Sequence, residues 1–363
     1  MTTDAQATAH AAAVPAPSRA ALALWVRVAA GLTVLCGAML AGLLVGPLHI
    51  PPGGIALDVI DRLPFVSVDS GLTSQQHDVL WLLRMPRVVL GALVGATLAL
   101  GGAAYQGTFR NPLADPYLLG VAAGAGLGAT VSIVYAPGFT LAGQASLPLF
   151  AFAGGLVAVA LALLVGRSFG EGRTSTTLIL GGVAVASFLT AVQTFVQQSR
   201  DDTLQQVYGW ILGRLATSGW TEVRTVLPYL VVGAVVVLLH GRLLDVLALG
   251  DDAAESLGLN AGRVRGIVVV AVTLATAAAV AVSGLIGFVG IVVPHVVRLC
   301  GVRGHRALLP LSAVVGAAFL VTCDLAARTV MEPAELPIGV VTALVGAPVF
   351  ALVLRASRGG SQP

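Results

Sequence analysis

The stretch LALGDDAAESLGLNAGR, residues 247–263, is short and acidic, and it separates two long apolar runs. These runs cover about residues 225–241 and 264–283. Each approaches the roughly 20 apolar residues that an α-helix needs to cross about 30 Å of hydrocarbon. Within the stretch, Asp251 is predicted to cap a short helix that Gly258 ends. The pattern predicts two membrane-spanning helices joined by a helical polar segment outside the bilayer.

Composition extends this interpretation to the whole chain. Of its 363 residues, 57% are hydrophobic and only 10% are charged, and the mean hydropathy is +0.93. Soluble domains carry about 25% charged residues, so an ordinary soluble domain is excluded. We predict an all-α, polytopic integral membrane protein with about ten transmembrane helices. The apolar segments lie at about 21–46, 88–108, 117–136, 148–167, 176–197, 225–241, 264–283, 285–301, 307–328 and 337–355.

The chain is predicted to form a single transmembrane domain over residues 21–356, with tails at 1–20 and 357–363. The first tail is rich in Ala and Pro and lacks the basic start of a secretory signal, which predicts a disordered tail before a retained first span. With the N-terminus inside, thirteen of the 20 Arg residues fall on the cytoplasmic side and seven on the other. Because basic residues favour the cytoplasmic side, both termini are predicted to be cytoplasmic in a cell-membrane protein.

Several kinds of catalytic and metal site are excluded by motif. All 20 basic residues are Arg, so the chain cannot supply the Lys of an ATP-binding P-loop, and HExxH and GxSxG motifs are absent. His295 has no second His, Cys or carboxylate at ligand spacing. Cys36, Cys300 and Cys323 lie singly in or at the end of apolar spans. The sequence predicts a non-enzymatic membrane protein with no metal site and no cofactor.

One polar stripe runs along the fifth predicted span. Its members recur at spacings of three and four residues, which places them on one face of an otherwise apolar helix. They are Ser187, Thr190, Gln193, Thr194 and Gln197. Two interpretations stay open, namely hydrogen bonds to neighbouring helices or the wall of a water-filled pathway for a bulky polar cargo.

Charged residues also lie near the predicted outer face. Arg84 and Arg87 occur in LLRMPR just outside the second span, where the positive-inside tendency disfavours Arg. Lipid headgroups or a docking protein would supply the compensating negative charge. Asp324 and Arg328, near the outer end of the ninth span, are spaced for a helical ion pair that is either structural or functional.

Four stretches resemble the permease family of type II ABC importers, which move ferric siderophores, haem and vitamin B12. They occur in the family's order and account for most of the chain from residue 80 to 355. The resemblance implies a ten-helix permease that works as a dimer, homomeric or with a sister permease, beside two cytoplasmic ATP-binding subunits and an extracytoplasmic substrate-binding protein. The stretches are LRMPRVVLGALVGATLALGGAAYQGTFRNPLADPYLLGVAAGAGLGA (83–129), LGDDAAESLGL (249–259), SGLIGFVGIVVPHVVRL (283–299) and DLAARTVMEPAELPIGVVTALVGAPVF (324–350).

The resemblance also assigns site residues. In the family, the loop between the sixth and seventh spans forms short coupling helices against the ATPase, and outward Arg side chains meet acidic residues of the binding protein. The coupling positions match Gly250, Asp251, Asp252, Ala254, Leu257 and Gly258. The docking positions match Arg84, Arg87 and Arg328.

The implied mechanism is alternating access driven by a separate ATPase subunit, and we favour ferric siderophores as the cargo. Haem and cobalamin remain open as cargo, and a non-transporting signalling or structural membrane protein remains open as a class. An ion-coupled secondary transporter would need carboxylates near the membrane midplane, and Asp324 is the only acidic residue within a predicted span. A short similarity between residues 98–107 and 280–290 predicts an inverted repeat of spans 2–5 and 7–10.

Overall fold

The computed structural model describes residues 19–62, 67–141, 144–168, 175–217, 219–302 and 304–359. In these ranges the chain is helical, apart from loops and one antiparallel pair of two-residue strands, β1 (Thr140–Leu141) and β2 (Gln144–Ala145). The helices are α1 (Arg19–Leu44), α2 (Pro52–Asp61), α3 (Ser74–Asp78), a π-helical segment (Val79–Arg84), α4 (Met85–Phe109), α5 (Val121–Tyr135), α6 (Ser146–Ser168), α7 (Ser175–Gln198), a 3₁₀ turn (Asp201–Thr203), α8 (Leu204–Ile211), α9 (Thr221–Leu239), α10 (Gly241–Leu247), α11 (Asp251–Ser256), α12 (Ala261–Ser283), α13 (Val289–Leu299), α14 (His305–Thr329) and α15 (Ile338–Gly359).

Ten of these helices correspond to the ten predicted spans. In the described part of the chain, α1, α4, α6, α7, α9, α12 and α14 are long and apolar enough to cross a membrane, and α5, α13 and α15 are shorter apolar helices. The all-α membrane fold is therefore confirmed. The predicted eighth span begins too early, because Phe288 takes a left-handed backbone with φ 69° and α13 starts only at Val289.

The predicted terminal tails are described only in part. Residues 1–18 lie outside the described ranges, and Arg19 and Ala20, which the prediction assigns to the tail, already belong to α1. At the other end, residues 357–359 continue α15, and residues 360–363 lie outside the described ranges.

The core of the bundle is built around α4, which packs against α9, α12, α13 and α14. Its contact with α14 is made by the backbone, since a Cβ on Gly95 would overlap the carbonyl oxygen of Gly316. In the same way, a Cβ on Gly102 would overlap the carbonyl of Gly290 in α13. Such small residues let helices approach closely in a bilayer, where little hydrophobic force drives helices together.

The helix contacts recur between spans 2–5 and spans 7–10, the two halves of the predicted repeat. In the first half, α4 packs on α13 and α14; in the second, α12 packs on α5 and α6. The pairs α5–α6, α5–α7 and α6–α7 likewise have counterparts in α13–α14, α13–α15 and α14–α15. This correspondence relates α4–α7 to α12–α15 and leaves α1 outside the repeat, packed mainly on α14.

The stretch between the first two spans folds onto the end of α4. Asp58 of α2 is buried and accepts hydrogen bonds from the Trp81 indole and from Ser70 Oγ at 2.9 Å. Asp58 Oδ2, which accepts from Trp81, also lies 3.1 Å from His77 Nδ1. Burial acts to raise the pKa of Asp58, but these donors outweigh it and hold the pKa below its ordinary value. Asp58 thus fastens α2 to the π-helical segment, and Trp220 Nε1 adds a 2.9 Å hydrogen bond to the Trp81 carbonyl.

Candidate functional site

The acidic segment forms α10 and α11, between α9 and α12. Gly250 precedes α11 with φ 119°, a backbone conformation that favours glycine. The predicted cap Asp251 is instead the first helical residue, and both of its carboxylate oxygens lie 3.1 Å from Arg265 Nη2. Arg110 Nη2 is 3.2 Å from the same carboxylate. The charge of Asp251 therefore binds α11 to α12 and to the end of α4.

The remaining predicted coupling residues divide between core and surface. Ala254 is fully buried in the main core, whereas Asp252 is exposed and Leu257 is 66% exposed. Gly258 has φ 79°, and an added Cβ there would meet no atom within 4 Å. Leu249, which the sequence interpretation missed, is 68% exposed beside them. We call the surface formed by Leu249, Asp252, Glu255 and Leu257 the α11 facet.

A second link at this end of the bundle fixes α10. The Asp245 carboxylate accepts a 2.7 Å hydrogen bond from the backbone N–H of His305 and lies 2.7 Å from His305 Nδ1. The His305 ring packs against Gly107 of α4, where a Cβ would overlap the ring. The contact joins α10 to the first residue of α14. Sequence patterns give no signal for it, because Asp245 and His305 lie 60 residues apart.

Four members of the predicted polar stripe line one cavity of about 410 Å³. Gln193 and Gln197 are buried, whereas Thr190 and Thr194 are exposed along the same wall. Ser187 does not line the cavity, and its hydroxyl donates to the Val183 carbonyl at 2.9 Å. The rest of the lining comes from Tyr117 in the α4–α5 loop, from α5 and from α8, which contributes Tyr208.

An apolar cavity of about 570 Å³ adjoins the first one. Ile211 and Leu285 line both cavities, so the two form one groove that runs from α7 past α8 to α15. Phe288 lines the apolar part, and its ring packs against Gly346 of α15. None of the described lining residues carries a charge.

Arg84 does not point away from the bundle, which corrects the prediction that it is an outward docking residue. Its side chain is 5% exposed, and Nη1 donates to the Leu43 carbonyl at 2.7 Å and to the Leu44 carbonyl at 3.3 Å. Nη2 donates to the Leu48 carbonyl. Leu43 and Leu44 are the last residues of α1, where helix carbonyls lack intrahelical partners and a positive charge is favourable, and Leu48 lies just beyond it.

Arg87 and Arg328 enclose the buried carboxylate of Asp324. Arg87 Nη2 lies 2.9 Å from Asp324 Oδ1, and Arg328 Nε lies 3.1 Å from Oδ2, so the predicted helical ion pair forms and gains a second cation. Arg328 also donates to the Gly42 carbonyl at 3.2 Å. The outward side of the Arg87 guanidinium contacts Glu335 at 3.0 and 2.9 Å, and that carboxylate is 55% exposed. The sequence interpretation missed Glu335.

The loop before α5 holds a half-buried acidic residue, Asp115. Burial raises the pKa of Asp115 to about 6, although the Tyr117 backbone N–H, which donates to Asp115 Oδ1 at 2.9 Å, acts to lower it. Tyr117 in turn donates its hydroxyl to the Ile286 carbonyl at 3.1 Å. This contact connects the α4–α5 loop to the α12–α13 link at the edge of the groove.

The described part of the chain contains no candidate metal site. Among residues that the structure describes, no three His, Cys, Asp or Glu side chains come together in a way that could hold a metal ion. Asp324 and Glu335 instead pair with Arg side chains, and we call Arg87, Asp324, Arg328 and Glu335 the Arg87 cluster.

Known proteins with similar sequences and structures are membrane permeases and transporters. The Halobacterium salinarum protein named cobalamin import system permease protein BtuC is 40% identical over 84% of this chain and 80% of its own length. The Bacillus subtilis protein named Fe(3+)-citrate import system permease protein YfmD is 37% identical over 86% of this chain and 91% of its own length.

A solved structure described as an inward-facing ABC transporter of the metal-chelate type superimposes with a TM-score of 0.77 and 30% identity. The superposition covers 91% of this chain and 99% of that one. The model of the FecCD transport family matches residues 32–356, from α1 to α15. This chain belongs to the FecCD transport family.

Proposed function

We propose that this chain is the permease subunit of an ATP-driven importer of iron chelates, with ferric siderophores as the cargo class. The groove along α7, α8 and α15 carries the proposal. Its two parts measure about 410 and about 570 Å³, and its described lining is neutral. A neutral polar wall suits a bulky polar chelate, whereas a bare ion needs charged or carbonyl ligands at close range. Iron then crosses inside its chelator and needs no ligand from the protein.

The α11 facet is the proposed seat of two cytoplasmic ATP-binding subunits, one on each permease copy. Leu249 and Leu257 are more than half exposed between acidic residues, which gives a partner a small apolar anchor with a polar rim. Asp251 and Asp245 fix α11 and α10 to the spans, so a movement of the facet reaches α12 and α14. This assignment places the facet and both termini on the cytoplasmic side of the cell membrane, in keeping with the distribution of Arg.

The Arg87 cluster is the proposed dock for an extracytoplasmic substrate-binding protein. Arg87 is the most accessible of the three predicted docking residues, and it already contacts an exposed carboxylate. Arg328 contributes through the shared Asp324, and Arg84 supports the site by holding the end of α1.

Transport proceeds by alternating access between two copies of this chain, either two identical subunits or one paired with a sister permease. The binding protein releases cargo into the groove, and closure of the ATPase pair moves the α10 and α11 helices. The groove then opens toward the cytoplasm. This chain binds no ATP and breaks no bond; it provides the path and transmits the motion.

Two other functions are the alternatives to import of an iron chelate. Cobalamin or haem would pass through the same groove. Cobalamin stays a candidate cargo because the Halobacterium salinarum relative, 40% identical, is named a cobalamin permease. An ion-coupled transporter would need a titrating carboxylate in the membrane, but Asp324 is 2% exposed and held by two Arg side chains.

Uptake of radiolabelled iron as a ferric siderophore tests the cargo, in iron-starved cells with and without this gene. We expect the deletion to lose uptake and the wild-type gene to restore it, whereas retained iron uptake with lost cobalamin uptake contradicts the iron-chelate assignment. The Leu257→Glu variant should reach the membrane but fail to co-purify with the ATPase subunits. Leu299→Glu, an equally exposed Leu at the same end of the bundle, is the matched control.

A further inference from the structure

The outward edge of the Arg87 guanidinium is already occupied in this chain. Its inward edge contacts Asp324, which is buried, and its outward edge makes two hydrogen bonds of 3.0 and 2.9 Å to Glu335. Glu335 therefore sits where a carboxylate of a docking protein would have to bind. Any partner that uses the outward edge must displace it.

We propose that Glu335 is an internal competitor for this docking site. It holds Arg87 when no binding protein is present and swings away when a carboxylate of the binding protein takes its place. The proposal rests on the docking role of Arg87 in the proposed function and adds the regulation of that same site.

The charges of the Arg87 cluster favour replacement of Glu335 by the partner's carboxylate over binding of a second carboxylate beside Glu335. Arg87 and Arg328 share one buried anion, Asp324, so a second anion is needed for neutrality, and Glu335 supplies it. A carboxylate from the binding protein would replace Glu335 without changing the net charge of the cluster. Without a partner, Glu335 neutralises the second Arg of the cluster. On docking, its departure avoids repulsion between Glu335 and the carboxylate of the binding protein.

The loop between α14 and α15 permits this exchange. Its residues from Val330 to Glu335 are exposed, and the Glu335 side chain is 55% exposed. The next residue is anchored, because the Leu336 N–H donates to the Ala327 carbonyl at 2.9 Å. The Glu335 side chain can therefore rotate away from Arg87 while the end of α14 stays in place.

Glu332 provides a matched control on the same loop. It is exposed and lies three positions before Glu335, and in the described part of the chain Arg87 pairs with Glu335 and not with Glu332. Glu332→Gln and Glu335→Gln remove the same charge from the same surface. A difference in affinity between the two variants therefore reflects the contact with Arg87 and not the loss of a negative charge from this surface.

The experiment measures binding of the purified substrate-binding protein of the same transport system to the assembled transporter in lipid nanodiscs. We expect Glu335→Gln to tighten binding by about two- to fivefold at low salt, the range of an exposed ion pair. Glu332→Gln should leave affinity at the wild-type value, and Arg87→Glu should abolish binding. Equal affinities for the two Gln variants, with binding lost in Arg87→Glu, overturn the competitor role and leave docking intact. Unchanged binding in Arg87→Glu overturns both.

A second measurement needs no binding protein. Modification by p-hydroxyphenylglyoxal, followed by mass spectrometry of the peptide that contains Arg87, reports the accessibility of that guanidinium. Glu335→Gln should raise the modification rate of Arg87 severalfold relative to wild type and to Glu332→Gln. An unchanged rate would show that Glu335 does not shield Arg87, and it would overturn the proposal independently of docking.

Discussion

At the scale of single residues, the acceptors within reach decide what a guanidinium group does. Arg84 reaches main-chain carbonyls at the end of α1, whereas Arg87 reaches two carboxylates. Arg328 reaches one of each, through Asp324 and Gly42. Arg84 thus holds the main chain, and Arg87 binds the carboxylate that we propose is exchanged on docking. Arg328 combines a carboxylate contact with a main-chain contact.

The first prediction at this scale concerns Arg84. In Arg84→Met the carbonyls of Leu43, Leu44 and Leu48 lose a charged donor while the apolar stem is kept. We expect a loss of stability of about 1–3 kcal/mol, the cost of leaving buried acceptors unpaired. Thermal unfolding of the purified protein in detergent measures it. A variant that loses binding-protein affinity at unchanged unfolding temperature would show that Arg84 docks and does not hold α1.

The second prediction concerns pH and Asp115. Because the folded pKa of about 6 lies above the ordinary value of 3.8, Asp115 contributes stability below pH 4, and this contribution is lost as the pH rises through 6. Asp115→Asn should therefore raise the free energy of unfolding at pH 7.5 by on the order of 1–3 kcal/mol, seen as a higher unfolding temperature, and give no advantage at pH 4. A variant less stable than wild type at pH 7.5 would show that the ionised carboxylate is the stabilising form.

At the scale of elements, the spans were predictable and the contacts between distant loops were not. Bilayer thickness imposes length and apolar composition on every span, so ten helices can be read from hydropathy alone. Periodicity also placed Gln193 and Thr194 on one helix, but the fold of α5 and α8 decides which stripe members face a cavity. The links of Asp245 and Asp251 to His305 and Arg265 join separate segments, and no local pattern encodes them.

These two links lead to paired predictions for α10 and α11. Asp245→Asn weakens the contact of α10 with His305, and Asp251→Asn weakens the contact of α11 with Arg265. We expect each change to speed amide exchange at least about tenfold in its own helix, because a charge-assisted hydrogen bond is lost. Hydrogen exchange with mass spectrometry resolves α10 and α11 as separate peptides, so each variant is the control for the other. Equal acceleration of both helices in either variant would show that they open as one unit.

At the scale of the whole molecule, α4 and α14 connect the two proposed partner surfaces. The α14 helix begins at His305, in contact with α10, and carries Asp324 and Arg328 near its other end. The α4 helix runs beside it, with the backbones in contact at Gly95 and Gly316. It carries Arg87 near one end, and Gly107 near its other end packs against His305. The pair therefore provides a direct mechanical path between the proposed ATPase seat and the proposed binding-protein dock.

The last prediction tests whether cargo uses that groove. Thr194 is exposed on the wall of the 410 Å³ cavity, and its neighbour Phe195 is 79% exposed but does not line it. Thr194→Trp should place an indole in the cavity and lower siderophore-iron uptake by about tenfold or more, because the larger side chain narrows the polar part of the groove in which a ligand has to fit. Phe195→Trp, an aromatic exchange on the same helical turn, should keep uptake. Both variants should still assemble with the ATPase subunits, which co-purification checks. Full uptake by an assembled Thr194→Trp transporter would mean that the chelate passes elsewhere, and the groove would then serve only as the contact between the two permease copies.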